Sequence, residues 1–317
     1  MKSPEPQSGS SGAHDTSHYA VSEFTQELLD AVAEDHYRLR AWSTFLSRAW
    51  ARSLEDIRQS RARTLSFSLW AAVIAAIGAG IILLTLRYQQ AEQSLDAILW
   101  WMLWYASTVI FVLTHLGMAD DDGGMPHNSL LLPNALSFCR LALAPLVLWP
   151  CLKIPINPTT GPVFALFLAG LSVTDLLDGW IARFRKTATR LGRMLDVLAD
   201  LAFVTFLAVG LYLAGAIPGP LLLLLVARFP VLFIGVLVMY FVVGPAPLPP
   251  TKIGRATTFA TNVVLLVIAF NLLLPISLPP SSWIEWSVRL LYWLIAANIV
   301  YLLYRAVDWR GLKRGEN

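Results

Sequence analysis

Apolar residues along the chain gather into repeated runs of about twenty, and charged residues fall mainly at the ends of those runs. A helix rises about 1.5 Å per residue, so about twenty apolar residues cross a hydrocarbon core of about 30 Å. The pattern predicts eight spanning helices, over residues 65–86, 95–118, 132–152, 162–182, 192–214, 218–243, 257–274 and 284–304. The segment before them differs. Between residues 21 and 60, Phe24, Leu28, Leu29 and Val32, then Trp42, Phe45, Leu46 and Trp50, recur at three- and four-residue spacings in a charged background. This predicts one or two amphipathic helices lying on the membrane or on the protein's own cytosolic face. Residues 1–18 are rich in Ser, Gly and Pro without an apolar core, which predicts a disordered tail and neither a signal peptide nor a first span.

Composition strengthens the membrane reading. Of the 317 residues, 56% are hydrophobic and only 14% charged, against about 25% charged in soluble domains. A formal charge of +3 is too small to suggest a nucleic-acid partner, and its basic residues mark topology instead. Arg48, Arg52, Arg58, Arg61 and Arg63 precede the first span. Arg183, Arg185, Lys186, Arg190 and Arg193 fill or flank the fourth connection. Lys252 and Arg255 precede the seventh span, and Arg305, Arg310, Lys313 and Arg314 follow the eighth. With eight spans all these groups share one side, so both termini are expected in the cytosol. Asp120, Asp121 and Asp122 with Gly123 and Gly124 read as a solvated joint between the first two spans and the six that follow. Cys139 and Cys151 lack zinc-type spacing and read as packing residues, and His115 reads as a hydrogen-bonded structural histidine. Trp100, Trp101, Trp104, Trp283 and Trp286 read as interfacial belt or helix contacts.

Four residues break the apolar pattern in a way that points to chemistry. From residue 123 to residue 284 the only acidic side chains are Asp175, Asp178, Asp196 and Asp200, each inside an expected span near its cytosolic end. Ionisable groups at membrane depth are costly and mark interior sites or aqueous cavities. The pairs are spaced three and four apart, so each occupies one face of its helix. The short basic connection makes the two helices antiparallel, and Asp175 and Asp200 both lie about 12 Å inward. Four carboxylates at one depth need a neutralising partner, and two divalent ions would balance them. All-oxygen ligation favours Mg²⁺ or Mn²⁺, and a two-ion clamp suits transfer of a phosphoryl group from a diphosphate-type substrate. Gly179, Ala182 and Gly192 stand one helical turn from aspartates, where small residues let a ligand or partner helix approach closely.

The run Asp175-x-x-Asp178-Gly179-x-x-Ala182-Arg183, then eight residues, then Gly192-x-x-x-Asp196-x-x-x-Asp200 resembles in full the signature of the CDP-alcohol phosphotransferases. The resemblance covers about residues 132–304, and Pro133-Asn134-Ala135-Leu136-Ser137-Phe138-Cys139-Arg140 looks like the family's first helix. It implies an all-α integral membrane protein with a six-helix body, here preceded by two extra spans. It implies that Asp175, Asp178 and Asp196 bind two metal ions holding the diphosphate of a CDP-linked lipid. Asp200 would touch one metal and act as general base, while Gly179, Ala182, Arg183 and Gly192 would face the CMP portion. An alcohol acceptor, a phosphodiester lipid product, released CMP and a homodimer follow from the same resemblance.

The expected layout is then a tail over 1–18, a cytosolic amphipathic segment over 19–63, two added spans and the acidic linker over 64–131, the catalytic domain over 132–307 and a cytosolic tail over 308–317. The protein is expected in a bacterial cytoplasmic membrane with its active site facing the cytosol. Arg228, deep in the sixth span beside Pro230, calls for an internal anionic partner. With Lys252 and Arg255 it forms a candidate acceptor-phosphate pocket, and Arg140, about 10 Å inward, is a fourth candidate acceptor-binding cation. Around the motif the sequence looks most like the phosphatidylglycerophosphate synthase-like members, which use glycerol 3-phosphate. Val197 stands where those carry Pro and Leu201 where they carry Lys, which leaves open an inositol phosphate, another polyol phosphate or a lipid alcohol such as phosphatidylglycerol. An intramembrane prenyltransferase would share the aspartates, but nothing acidic follows Asp200 until Glu285. A cation transporter would explain buried carboxylates but not the small residues and Arg183 at set spacings.

Overall fold

The computed structural model describes residues 39–87, 94–119, 129–148, 160–185, 187–227, 252–274 and 281–314. Its elements in chain order are α1 (Leu39–Gln59), α2 (Arg61–Leu86), α3 (Ser94–Thr114), α4 (Leu132–Leu143), α5 (Thr160–Arg185), α6 (Arg190–Leu213), a helix α7 over 219–227, α8 (Lys252–Leu273) and α9 (Ser281–Arg314). Short 3-10 turns follow α3 at Leu116–Met118 and α4 at Ala144–Leu148. Among the described residues there is no β-strand. The expected all-α class is met.

Among the described residues four helices are long and apolar enough to cross a membrane: Arg61–Leu84, Gly161–Arg185, Arg190–Leu213 and Ala256–Leu273. These match the first, fourth, fifth and seventh expected spans. The second and third are shorter apolar helices, Ile98–Thr114 and Leu132–Leu148. The sixth is described only over 219–227, and the eighth corresponds to α9. The tail over 1–18 and the acidic joint Asp120–Gly124 lie outside the described residues, as does Cys151. Of the amphipathic segment, Leu39–Gln59 forms α1, which rests on α2, α3 and the turn at Leu116–Met118, and the part carrying Phe24, Leu28, Leu29 and Val32 lies outside the described residues. His115 has the structural role expected, stacking on Phe111 and donating from Nδ1 to the Phe111 carbonyl at 2.7 Å.

The centre of the molecule is α4, packed against both α5 and α6. It begins where Leu131 is extended and Pro133 occupies the first turn, a position that needs no amide hydrogen. Nine of its twelve residues are buried, including Asn134, Ser137 and Arg140. Pro145, unable to donate to Leu141, ends the α-helix and starts the 3-10 turn.

Helix α6 is delimited at both ends by local hydrogen bonds. At its start the Thr189 side chain accepts from the Gly192 amide at 2.9 Å. At its end Gly215 takes the left-handed conformation, φ 72°, and donates to Tyr212, while Ala216 donates to Leu211 at 2.8 Å. Both bonds satisfy carbonyls that the helix end would otherwise leave bare. The face carrying Leu191, Leu195, Ala199, Leu207 and Leu211 is thereby pressed onto the core and the aspartates turn toward α4 and α5.

Candidate active site

The four aspartates come together around one guanidinium. Arg140, buried with 1% of its side chain exposed, donates from Nη1 to Asp175 and from Nη2 to Asp196 at 3.0 Å and Asp200 at 2.9 Å. Its Nη1 also lies 4.0 Å from Asp178. The second helical residue to reach an aspartate is Ser137, one turn earlier on α4, whose hydroxyl donates to Asp178 Oδ2 at 2.7 Å. Asp178 is nearly buried, whereas Asp175, Asp196 and Asp200 are each between a third and a half exposed. The array therefore has a closed floor on α4 and an open side.

Among the described residues Arg140 is the one cation within 4.0 Å of the four carboxylates, which leaves a deficit of positive charge at the cluster. Oxygens of Asp175, Asp178 and Asp196 all lie within 4.8 Å of one another, so three acidic ligands from two helices face a common point. An all-oxygen donor set of this charge suits Mg²⁺ or Mn²⁺ and not a soft metal. The residues present fit the ions expected for them. The counter-charge is partly intrinsic, because Arg140, expected about 10 Å inward on α4, sits among the carboxylates.

Beside Asp178 and Asp196 opens a cleft of about 190 Å³. It is lined by Gly179, Ala182, Arg183 and Gly192, all four of the residues expected on the nucleotide side, together with Asn134 and the 187–189 connection. The glycines have separate reasons. A Cβ at Gly179 would come 3.1 Å from the Arg183 guanidinium, which folds back over that position. A Cβ at Gly192 would collide with Asn134 Oδ1 and stand 3.1 Å from Thr189 Oγ1. Gly192 thus makes room for a side chain of α4.

Asn134 is a residue that sequence reasoning missed. Thr189 Oγ1 accepts from Gly192, so its own hydrogen goes to Asn134 Oδ1, at 3.1 Å. That fixes the orientation of the amide and leaves Asn134 Nδ2 buried without a protein partner at the cleft wall. Asn134, Ser137 and Arg140 recur every three residues along one side of α4, and that spacing was the available signal.

Three expected acceptor residues stay apart from this description. Arg228 lies outside the described residues, and Lys252 and Arg255 are placed only as backbone in the first turn of α8.

Comparison with known proteins identifies the lineage of this arrangement. A sequence profile described as CDP-alcohol phosphatidyltransferase matches residues 130–303, more than half of the chain. A cardiolipin synthase (CMP-forming) of Streptomyces coelicolor is 36% identical over 190 residues, covering 55% of this chain and 82% of that protein. The cardiolipin synthase (CMP-forming) of Homo sapiens is 34% identical over 165 residues, 47% of this chain and 52% of the human one. A CDP-diacylglycerol--glycerol-3-phosphate 3-phosphatidyltransferase of Aquifex aeolicus is 45% identical over 74 residues, 23% of this chain and 39% of that protein.

Proposed function

Since this chain belongs to the CDP-alcohol phosphatidyltransferase family, a family of membrane enzymes that use divalent ions, we propose that it moves the phosphatidyl group of a CDP-linked lipid such as CDP-diacylglycerol onto an alcohol and releases CMP. The observation that carries this reading is the convergence of four aspartates from α5 and α6 on Arg140, at the wall of a cleft lined by the small residues of the same signature.

Asp175, Asp178 and Asp196 would hold two divalent ions, which when bound supply charge stabilisation to the diphosphate and to the departing oxygen of CMP. Ser137 holds the Asp178 carboxylate in place. Gly179, Ala182, Arg183 and Gly192 receive the CMP portion, and Asn134 Nδ2 offers it a hydrogen-bond donor. Asp200, on the open side, takes the proton of the acceptor hydroxyl. The freed oxygen bonds to the lipid-side phosphorus, the bond from that phosphorus to the bridging oxygen breaks, and CMP leaves with the electron pair.

For the acceptor, similarity along the domain favours a lipid alcohol of the phosphatidylglycerol kind, because the relatives matched over 165 and 190 residues are named cardiolipin synthases. Leu201, apolar where glycerol-3-phosphate enzymes carry Lys, agrees with that choice. Glycerol 3-phosphate is the second reading, favoured by the 45% identity over a shorter stretch to the Aquifex aeolicus enzyme. Arg183, Arg185, Arg190 and Arg193 crowd the same end of α5 and α6 as the cleft, which supports a cytosolic active site.

The test is CMP release by the purified protein from CDP-diacylglycerol, with Mg²⁺ or a chelator, across phosphatidylglycerol, glycerol 3-phosphate and inositol phosphate. CMP is expected with phosphatidylglycerol and Mg²⁺ only. No CMP with any acceptor would sink the transferase reading, and a transporter would behave that way.

A further inference from the structure

We propose that the α2–α3 hairpin, which lies outside the family match, is a positioning element of the active site, acting through the indole N–H groups of Trp101 and Trp104 on helix α4. The reason starts from a defect in α4. An α-helical carbonyl is satisfied by the amide four residues on, and for Leu141 that position is Pro145, which has no amide hydrogen. The change to 3-10 geometry at Ala144 also moves the following amides from the fourth to the third preceding carbonyl, which takes the α-helical partner from Ala142. Bare carbonyls at membrane depth are costly.

Both are answered from α3. Trp104 Nε1 donates to the Leu141 carbonyl at 2.8 Å, and Trp101 Nε1 to the Ala142 carbonyl at 3.2 Å. The donors are themselves held. The Trp101 ring occupies the space that a side chain at Gly78 of α2 would need, and it stacks on Tyr105 at 5.3 Å. The Tyr105 hydroxyl donates back to Ala71 of α2 at 2.5 Å. Trp104 meets Phe206 of α6 edge to face at 5.1 Å, so the same side chain touches two helices of the catalytic body. Just before α4, Ser66 accepts from the Leu130 amide at 3.2 Å, and in the middle of the helix Phe67 packs on Phe138 at 5.3 Å. The hairpin grips α4 before Asn134 and after Arg140, the stretch from which Ser137 and Arg140 reach the aspartates.

The inference rests on the reading of that cluster as the reaction centre, and its test separates the two. Trp104→Phe and Trp101→Phe keep a ring and remove the donor. Trp104→Phe is expected to lower kcat about tenfold while KM for CDP-diacylglycerol stays within about twofold, because Gly179, Ala182, Arg183 and Gly192 of the cleft sit on α5 and α6 and Asn134, its residue at the start of α4, lies about two turns before the lost bond. Pro145→Ala returns an amide facing Leu141, so Trp104→Phe with Pro145→Ala should recover most of the lost kcat. Cys139, a free and partly buried thiol next to Arg140, gives a reading independent of turnover. Its alkylation in the unaltered protein should be slow and should quicken several-fold in both Phe variants. Unchanged kcat, or kcat and KM shifting together with no recovery by Pro145→Ala, overturns the proposal. Should Trp104→Phe not fold, Trp101→Phe, which loses the longer bond, decides by the same measurements. If the unaltered protein releases no CMP, the transferase reading falls, and Cys139 alkylation alone then upholds or overturns the clamp.

Discussion

The α4–α6 region and the α8–α9 pair both bury polar side chains at membrane depth, but they use them differently. Among the described residues, the buried polar groups between α8 and α9 are neutral: Asn298 donates to Thr257 Oγ1 at 3.4 Å, and the Thr261 hydroxyl donates to the Thr257 carbonyl at 2.7 Å. The first bond joins the two helices and the second stays within α8. In α4–α6 buried Arg140 and Asp178 meet the half-buried Asp175, Asp196 and Asp200, so ionisable groups from three helices converge beside a cleft of about 190 Å³. Burial of a polar residue in a membrane protein is therefore weak evidence of function. Convergence of ionisable groups from several elements beside an open volume is strong evidence, because desolvating four carboxylates destabilises the fold unless something compensates.

The largest effect that would break this contrast is at Asp200. Asp200→Asn keeps the shape and removes the proton acceptor, so turnover should fall about 10²–10⁴-fold while the protein still binds the CDP-lipid, both measured on the purified enzyme. Near-normal turnover would strip Asp200 of its proposed role. Next comes Arg140→Met, which takes the buried guanidinium from among four carboxylates. Breaking such a buried array costs about 3–5 kcal/mol. The loss should be largest in chelator and smaller in Mg²⁺, because the ions and the guanidinium answer the same charge. Thermal unfolding in the two conditions checks this, and an equal loss in both would reduce Arg140 to a packing cation.

The contrast also explains what could be read from the chain alone. The aspartates were legible because carboxylates are rare inside apolar runs, and their three- and four-residue spacing placed each pair on one helix face. Arg140 was legible only as to depth. Its partners depend on how α4 crosses α5 and α6, and nothing local to α4 encodes that crossing. Asn134 and Ser137 escaped notice because small polar residues are ordinary in membrane helices. The tryptophans show the same limit: Trp100, Trp283 and Trp286 are exposed as belt residues would be, whereas Trp101, one position from Trp100, is buried against α4. Hydrophobicity does not separate two neighbours that differ by about 100° around a helix.

A smaller change sharpens the cleft side of the comparison. Gly192→Ala pushes a methyl group into Asn134 Oδ1, displacing the amide and the Thr189 cap that holds the start of α6. Overpacking of this kind costs about 1–3 kcal/mol. It should appear mainly as a raised KM for the CDP-lipid, with kcat closer to normal. A kcat loss at unchanged KM would move Gly192 out of the nucleotide cleft.

The smallest expected effect tests the other half of the contrast. Asn298→Leu removes the amide that meets Thr257 but keeps a side chain of similar size, and interhelical hydrogen bonds in membranes average only about 0.6 kcal/mol. The Thr257 hydroxyl sits beside the α8 backbone, so it has local groups to turn to when the amide is lost. The unfolding midpoint should drop by about a few degrees at most, and turnover per folded enzyme should match that of the unaltered protein. A tenfold loss of turnover in a well-folded Asn298→Leu variant would mean that α8 and α9 carry part of the chemistry. The line between helix glue and active site would then have to be redrawn to include the first turn of α8, where Lys252 and Arg255 begin the helix.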